Sequence, residues 1–279
     1  MKKLTLFATV VAFMLCACHQ GNKSNGQAES SLPYGVTVQT IDKMQLTTFQ
    51  DNAKEKGHPN RLFYGVNNAD SILVDSLSPG GEVPSSISCF MVEKDGKKIL
   101  FDAGLGAAKG GQLLNRMDSI GVKPEDIDIV FLTHYHGDHI GGMLQDTLPV
   151  FTRATVYAPQ VEHDYWTGRG NELVLNLQRA YGDRLILFDW SDSLPLGILP
   201  IEAAGHTPGH TAYRVGQLFV VGDLMHGASL QLSHPEICAS YDMDREQSVA
   251  ARRRLMEYAR SNALVVVGMH LPGNGVLAD

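Results

Sequence analysis

Three histidines and an aspartate stand within six residues in Thr133-His134-Tyr135-His136-Gly137-Asp138-His139. Imidazole and carboxylate without thiolate suit zinc, manganese, iron or cobalt better than copper(I) or calcium. The stretch follows an apolar run, 127–132, that reads as a buried strand. It precedes Ile140-Gly141-Gly142-Met143-Leu144, which reads as the start of a helix. His134 and His136, two apart on extended backbone, point the same way, while the turn carries Asp138 and His139 round to face a second position. One strand-to-helix turn can therefore serve two adjacent cations.

Further donors arrive from distant parts of the chain. Four apolar runs end in a ligand-type residue: Leu132 before His134, Ala203 before His206, Val221 before Asp223 and Val267 before His270. In layered α/β folds, strand ends at one edge of a sheet are where sites assemble. Three neutral imidazoles at one position, with one carboxylate and two imidazoles at the next and a further carboxylate between, would hold two divalent ions. Two such ions sit about 3.5–4 Å apart, lower the pKa of a shared water from about 15.7 toward about 7, and polarise the oxygens of the scissile group. That chemistry is hydrolysis of an ester, lactone, amide or phosphoester by a metal-bridging hydroxide, with no serine or cysteine nucleophile. Asp102, at the end of the run 98–101, is the candidate to orient a metal-bound imidazole through its other ring nitrogen.

The elements that must position these residues follow from periodicity and turn signals. Strands are expected at 36–41, at 87–93 and 98–101 around a Lys94-Asp95-Gly96-Lys97 turn, at 127–132 and at 154–157. Further strands are expected at 198–203, 218–221 and 264–267. Helices are expected at 112–120, ended by Gly121, at 160–166, at Glu172–Tyr181, and at Arg245–Ser261 with Asp244 as N-cap. Residues 189–196 read as a connector. The run 47–86 is polar and turn-rich, most irregular at Lys54-Glu55-Lys56-Gly57-His58-Pro59, and is expected to form a wall of the active-site cleft. The rhythm of strands and helices means an α/β layered fold.

The beginning of the chain reads as an export segment. Met1-Lys2-Lys3 is basic, 4–15 is uncharged and mostly apolar, and Leu15-Cys16-Ala17-Cys18 ends the run in small residues. It is too short to span a bilayer as a stable helix, and its end resembles the bacterial lipobox, which would lipidate Cys18. The expected organisation is a lipoprotein-type signal at 1–17, a flexible tether at 18–32 and a hydrolase domain at 33–279. The protein is then exported and anchored to the cell-envelope membrane, periplasmic or surface-exposed. The formal net charge is −7, and removal of Lys2 and Lys3 makes it −7 − 2 = −9, which disfavours nucleic acid and points to a small-molecule substrate. Arg252-Arg253-Arg254 reads as a solvated helix face. Cys89 and Cys238 could pair in an exported protein, but Cys89 lies in an apolar run and reads as a buried free thiol, and neither is assigned to metal.

The motif His134-Tyr135-His136-Gly137-Asp138-His139 resembles the HxHxDH signature of the metallo-β-lactamase fold. Gly205-His206-Thr207-Pro208-Gly209-His210, Gly222-Asp223 and His270 follow in the order that fold carries. The resemblance covers about 88–270 and implies a four-layer αββα sandwich. It implies one ion on His134, His136 and His206, a second on Asp138, His139 and His270, and Asp223 between them, with His210 a structural neighbour. Gly222-Asp223-Leu224-Met225-His226, Gln231, Pro235, Tyr241-Asp242-Met243-Asp244 and His270-Leu271-Pro272-Gly273 resemble the branch that holds methyl parathion hydrolase and related lactonases and arylesterases. Two departures are visible: no aromatic residue in the His270 loop, and no closing hairpin before Asp279, so either an open sheet edge or a shortened sequence is expected. The expected function is a hydrolase using two divalent ions, zinc foremost, with Asp138, Asp223 and His226 as its catalytic set and His226 as oxyanion donor or general acid. The alternatives are a mononuclear iron persulfide dioxygenase, which the fold supports with fewer ligands, and a lipid-anchored metal-binding module without turnover.

Overall fold

The computed structural model describes residues 32–65 and 71–277, all within the unit Leu32–Asp279. The expected signal, Cys18 and all of the expected tether except Leu32 lie outside the described residues. Two sheets lie face to face with helices on both outer sides. The first has seven strands in chain order: β1 Val36–Ile41, β2 Met44–Gln50, β3 Ser88–Lys94, β4 Lys97–Phe101, β5 Ile129–Phe131, β6 Thr155–Pro159 and β7 Leu185–Phe188. Its first half is antiparallel; from β4 onward the pairs are parallel. The second holds β8 Leu199–Glu202, β9 Thr211–Val215, β10 Leu218–Val220 and β11 Val265–Val267 in that order.

Alternation along β3 explains the layering. Phe90 and Val92 face the second sheet with Phe101, Phe131, Tyr213 and Val220. Cys89 and Met91 face outward onto α1 Leu113–Asp118 and, among other elements, α4 Glu172–Tyr181, through Leu113, Met117, Val174 and Leu177. A strand is apolar where it is covered on both faces, and β3 is so over 89–92, before Glu93 and Lys94 emerge. The outer face of the second sheet packs Phe219 and Val221 against Ala251, Leu255 and Ala259 of α5 Arg245–Ser261. The order helix, sheet, sheet, helix is the αββα sandwich that the motif resemblance implied.

Several sequence expectations need correction. The helix expected from Ile140 begins earlier and is one short turn, α2 Gly137–Ile140, followed by a 3-10 turn Gly141–Met143. A Cβ on Gly142 would stand 1.9 Å from the Ala103 carbonyl oxygen, and one on Gly141 2.2 Å from that of Leu105. The glycines let this turn pack against the loop after β4 and do not prolong a helix. The run 47–86 starts as strand: Thr47 and Thr48 belong to β2 and are buried. β7 and β9 were not expected. Both are short, and β9 follows directly on the ligand loop. Arg252 is 1% exposed, unlike Arg253, because its Nε and Nη1 donate to the carbonyls of Leu224, Pro235 and Ile237 and its guanidinium lies 3.5 Å from Asp242. Past β11 the chain returns, with Val276 bridged to Val267 and the Leu277 amide donating to the Val266 carbonyl, so the expected open edge is partly covered. Cys89 and Cys238 are free and buried, and no helix among the described residues is long and apolar enough to cross a membrane.

Candidate metal centre

β5, β8, β10 and β11 all deliver their next residues to one end of the sandwich, so the expected convergence occurs, although the edge belongs to both sheets. His134 Nε2, His136 Nδ1 and His206 Nε2 meet at 3.1 and 2.9 Å, with Asp223 Oδ2 3.3 Å from His206. Beside them, His270 Nε2 lies 3.4 Å from Asp138 Oδ2, and His139 Nε2 lies 3.9 Å from Asp138 Oδ1. Asp223 reaches the second group too, at 3.1 Å from both His139 and His270. The four atoms offered by His134, His136, His206 and Asp223 lie within 4.8 Å of one another, as do those of Asp138, His139 and His270. All seven expected ligands are thus together, in the two groups expected.

The donor set fits divalent cations. Imidazole nitrogens facing one another at hydrogen-bond distance repel as lone pairs unless a proton or a cation lies between them. His139 Nε2 and Asp223 Oδ1 are buried and, although 3.1 Å apart, make no hydrogen bond to each other or to another group, an arrangement that costs free energy until a cation or a proton joins them. Four of the five remaining ring nitrogens are held. His139 Nδ1 bonds Asp102 Oδ2 at 2.7 Å, His206 Nδ1 bonds Asp242 Oδ1 at 3.0 Å, His270 Nδ1 donates to the Ser86 carbonyl at 2.9 Å, and His134 Nδ1 meets Thr133 Oγ1 at 3.1 Å. These contacts fix the nitrogen turned to the cluster.

Charge is sorted accordingly. Burial alone would lower the pKa of every ring, and it dominates at His134, held well below its usual range, and at His136, lowered to about 3. At His139, His206 and His270 burial is outweighed by carboxylates. Asp223 and Asp102 raise His139 well above its usual range, Asp223 and Asp242 raise His206 to about 9, and Asp223 and Asp138 raise His270 to about 10. Asp223, although buried, is pushed well below the usual carboxylate range by the surrounding imidazoles.

His210 holds the place expected of a neighbour: its Nδ1 donates to the Ala203 carbonyl at 3.0 Å and its Nε2 accepts from the Asp223 amide at 3.1 Å. His226 lines the cleft, with Nε2 3.1 Å from Asp223 Oδ2 and Nδ1 buried without a partner. Three residues that sequence reasoning did not assign to the site support it. Asp242 orients His206 and is itself held by Arg252. Ser86 orients His270. Glu162, fully buried in α3 Gln160–Gly168, accepts from the amides of Tyr135 and Gly209 at 2.9 and 2.8 Å and from Trp166 Nε1 at 2.7 Å, and so ties both ligand loops to one helix. A carboxylate in the first turn of a helix gave no local sign of this.

The cluster opens into a cleft of about 1040 Å³ whose far wall is the irregular 52–62 segment, as expected for that excursion. His58 from this wall stands with its ring centroid 5.7 Å from that of His270 and 5.9 Å from that of Tyr241.

A family model described as Metallo-beta-lactamase superfamily matches residues 83–270. Among curated proteins the chain is similar to an N-acyl homoserine lactonase of Bacillus cereus, 28% identical over 162 residues that make up 48% of this chain and 60% of the lactonase. It is also similar to ribonuclease Z of Nanoarchaeum equitans (strain Kin4-M), 44% identical over 71 residues, 24% of this chain and 20% of that enzyme. Each matched stretch thus spans less than two thirds of the relative's length. Two solved structures superpose with a TM-score of 0.76 at 24% identity. The hydrolase AbOPH of the beta lactamase superfamily does so over 88% of this chain and 94% of its own. AidC, a dizinc quorum-quenching lactonase in complex with a product, does so over 87% and 92%. At that identity the superpositions speak to the fold alone.

Proposed function

Since this chain belongs to the metallo-beta-lactamase superfamily, we propose that it is a metal-dependent hydrolase that holds two divalent ions, zinc foremost, and cleaves an ester or lactone bond of a small molecule. The observation that carries this reading is the pair of adjoining donor groups that share Asp223 at the floor of an open cleft. The lactonase among its relatives favours the lactone arm.

His134, His136 and His206 would hold one ion, Asp138, His139 and His270 the other, and Asp223 both. When bound, such a pair supplies Lewis acidity and a hydroxide nucleophile at neutral pH. Asp102, Asp242 and the Ser86 carbonyl keep the imidazoles turned inward, so the cluster is preorganised before substrate enters. His226, on the cleft wall, serves as hydrogen-bond donor to the substrate oxygen.

The test is turnover of an aryl ester, an acyl lactone and a phosphotriester by the zinc-loaded protein. Ester or lactone cleavage that disappears in His136→Ala is the expected result. Silence against all three, or one iron and no zinc per chain, contradicts it. From the sequence of residues 1–18 we also propose export and lipid anchoring at Cys18. A Cys18→Ser variant that still partitions with the membrane fraction would contradict that proposal.

A further inference from the structure

The cleft above the metal cluster is lined by Lys54, Lys56, Arg61 and Lys109, in a chain whose formal net charge is −7. Among the described residues none of the four has an ion pair. The carboxylates that line the cleft, Asp138 and Asp223, both belong to the metal cluster. Glu55, the acidic residue between the two lysines of the wall, is turned away, its Oε1 accepting from the Gly273 amide at 2.7 Å. Lys109 stands beside the candidate ligands. Its Nζ is 3.4 Å from where a Cβ on Gly137 would stand, between the ligands His136 and Asp138. Arg61 lies on the opposite wall, close enough to Tyr241 for its charge to act on the phenol.

Cations scattered over an acidic surface are normally paired or solvated singly. Four that face one concavity from the 54–61 segment and from the loop at 109, with no carboxylate left among them, make a cleft that attracts negative charge. We propose that the substrate is an anionic ester or lactone, bearing a carboxylate or similar group remote from the scissile bond, which Lys109 and Arg61 hold while Lys54 and Lys56 draw it in. The inference rests on the hydrolase reading and narrows it, because neutral acyl lactones and phosphotriesters then become poor substrates. Beyond the ligands and the basic residues, the cleft is lined by polar Asn52, Ser85 and Ser86 and by apolar Pro59, Leu62, Ile87 and Leu105, so the charge in its lining comes from the four basic side chains.

The experiment compares 4-nitrophenyl hemiglutarate with 4-nitrophenyl pentanoate on the zinc-loaded protein. The two share a leaving group and a chain length and differ at the far end, carboxylate against methyl. We expect kcat/KM to favour the hemiglutarate by about tenfold or more at low ionic strength, and the ratio to shrink toward about twofold in 0.5 M salt. In Lys109→Gln and in Arg61→Gln that ratio falls about fivefold each. A loss of folded or metal-loaded protein lowers both rates together and leaves the ratio alone. A pentanoate rate equal to or above that of the hemiglutarate, or a ratio that neither salt nor either substitution moves, overturns the proposal and leaves the hydrolase reading standing. Equilibrium binding of glutarate against glutaramide, by calorimetry on the same proteins, reads the cleft without turnover. Glutarate bound more tightly, and weakened by each substitution, supports the anionic site even if no ester is cleaved, in which case the hydrolase reading is what fails. Equal binding of the two overturns the anionic site.

Discussion

His206 and His270 carry protons that an incoming cation must displace. Asp223 and Asp242 outweigh burial at His206, and Asp223 and Asp138 do so at His270, which raises the two rings to about 9 and about 10. At neutral pH both are charged, and metal ligands must be neutral. Zinc affinity should therefore keep rising with pH from 7 toward 9–10, where a free imidazole would have levelled off above its pKa near 6.5. Chelator competition at pH 7, 8 and 9 measures this; an affinity flat across that range would contradict it. Asp242→Asn removes the carboxylate that holds His206 Nδ1 and should weaken zinc about 10- to 100-fold. His226→Phe should behave differently: zinc content unchanged, kcat lower by about 10²-fold. A loss of zinc instead would make His226 a ligand.

At the level of elements, Glu162 in α3 is the clamp between the turn after β5 and the loop after β8. Glu162→Gln forces an amide NH2 against a backbone donor, which costs about 1–3 kcal/mol. For a domain of this size that lowers Tm by about 2–4 °C per kcal/mol. Thermal melts of the zinc-loaded protein check it; an unshifted Tm would show that the loops do not depend on the clamp. The same contacts mark what the sequence could and could not reveal. The candidate ligands were legible because a local motif and the ends of apolar runs carry them. Helix α5, with Asp244 capping Gln247, was legible from its cap and length. Glu162 meets Tyr135 27 residues away, Asp242 meets His206 36 away and Ser86 meets His270 184 away. No short-range pattern encodes partners at those separations. Arg252 was misread for the same reason: its burial is made tolerable by carbonyls and a carboxylate that only the fold brings near.

Across the whole molecule, two sheets with separate faces end at one common edge, and the cluster joins them there. His134, His136, Asp138 and His139 follow β5 of the first sheet, while His206, Asp223 and His270 follow strands of the second. Ions bound between them bind the folded state and not the unfolded chain, so zinc at 100 times its dissociation constant should add about 2.7 kcal/mol to stability. Whether these seven side chains enclose a pair of cations is decided by titrating zinc into metal-free protein while counting bound metal per chain. An end point of two is expected, falling to one in His270→Ala. An end point of one in the unaltered protein, or an end point of two that His270→Ala leaves in place, would contradict it.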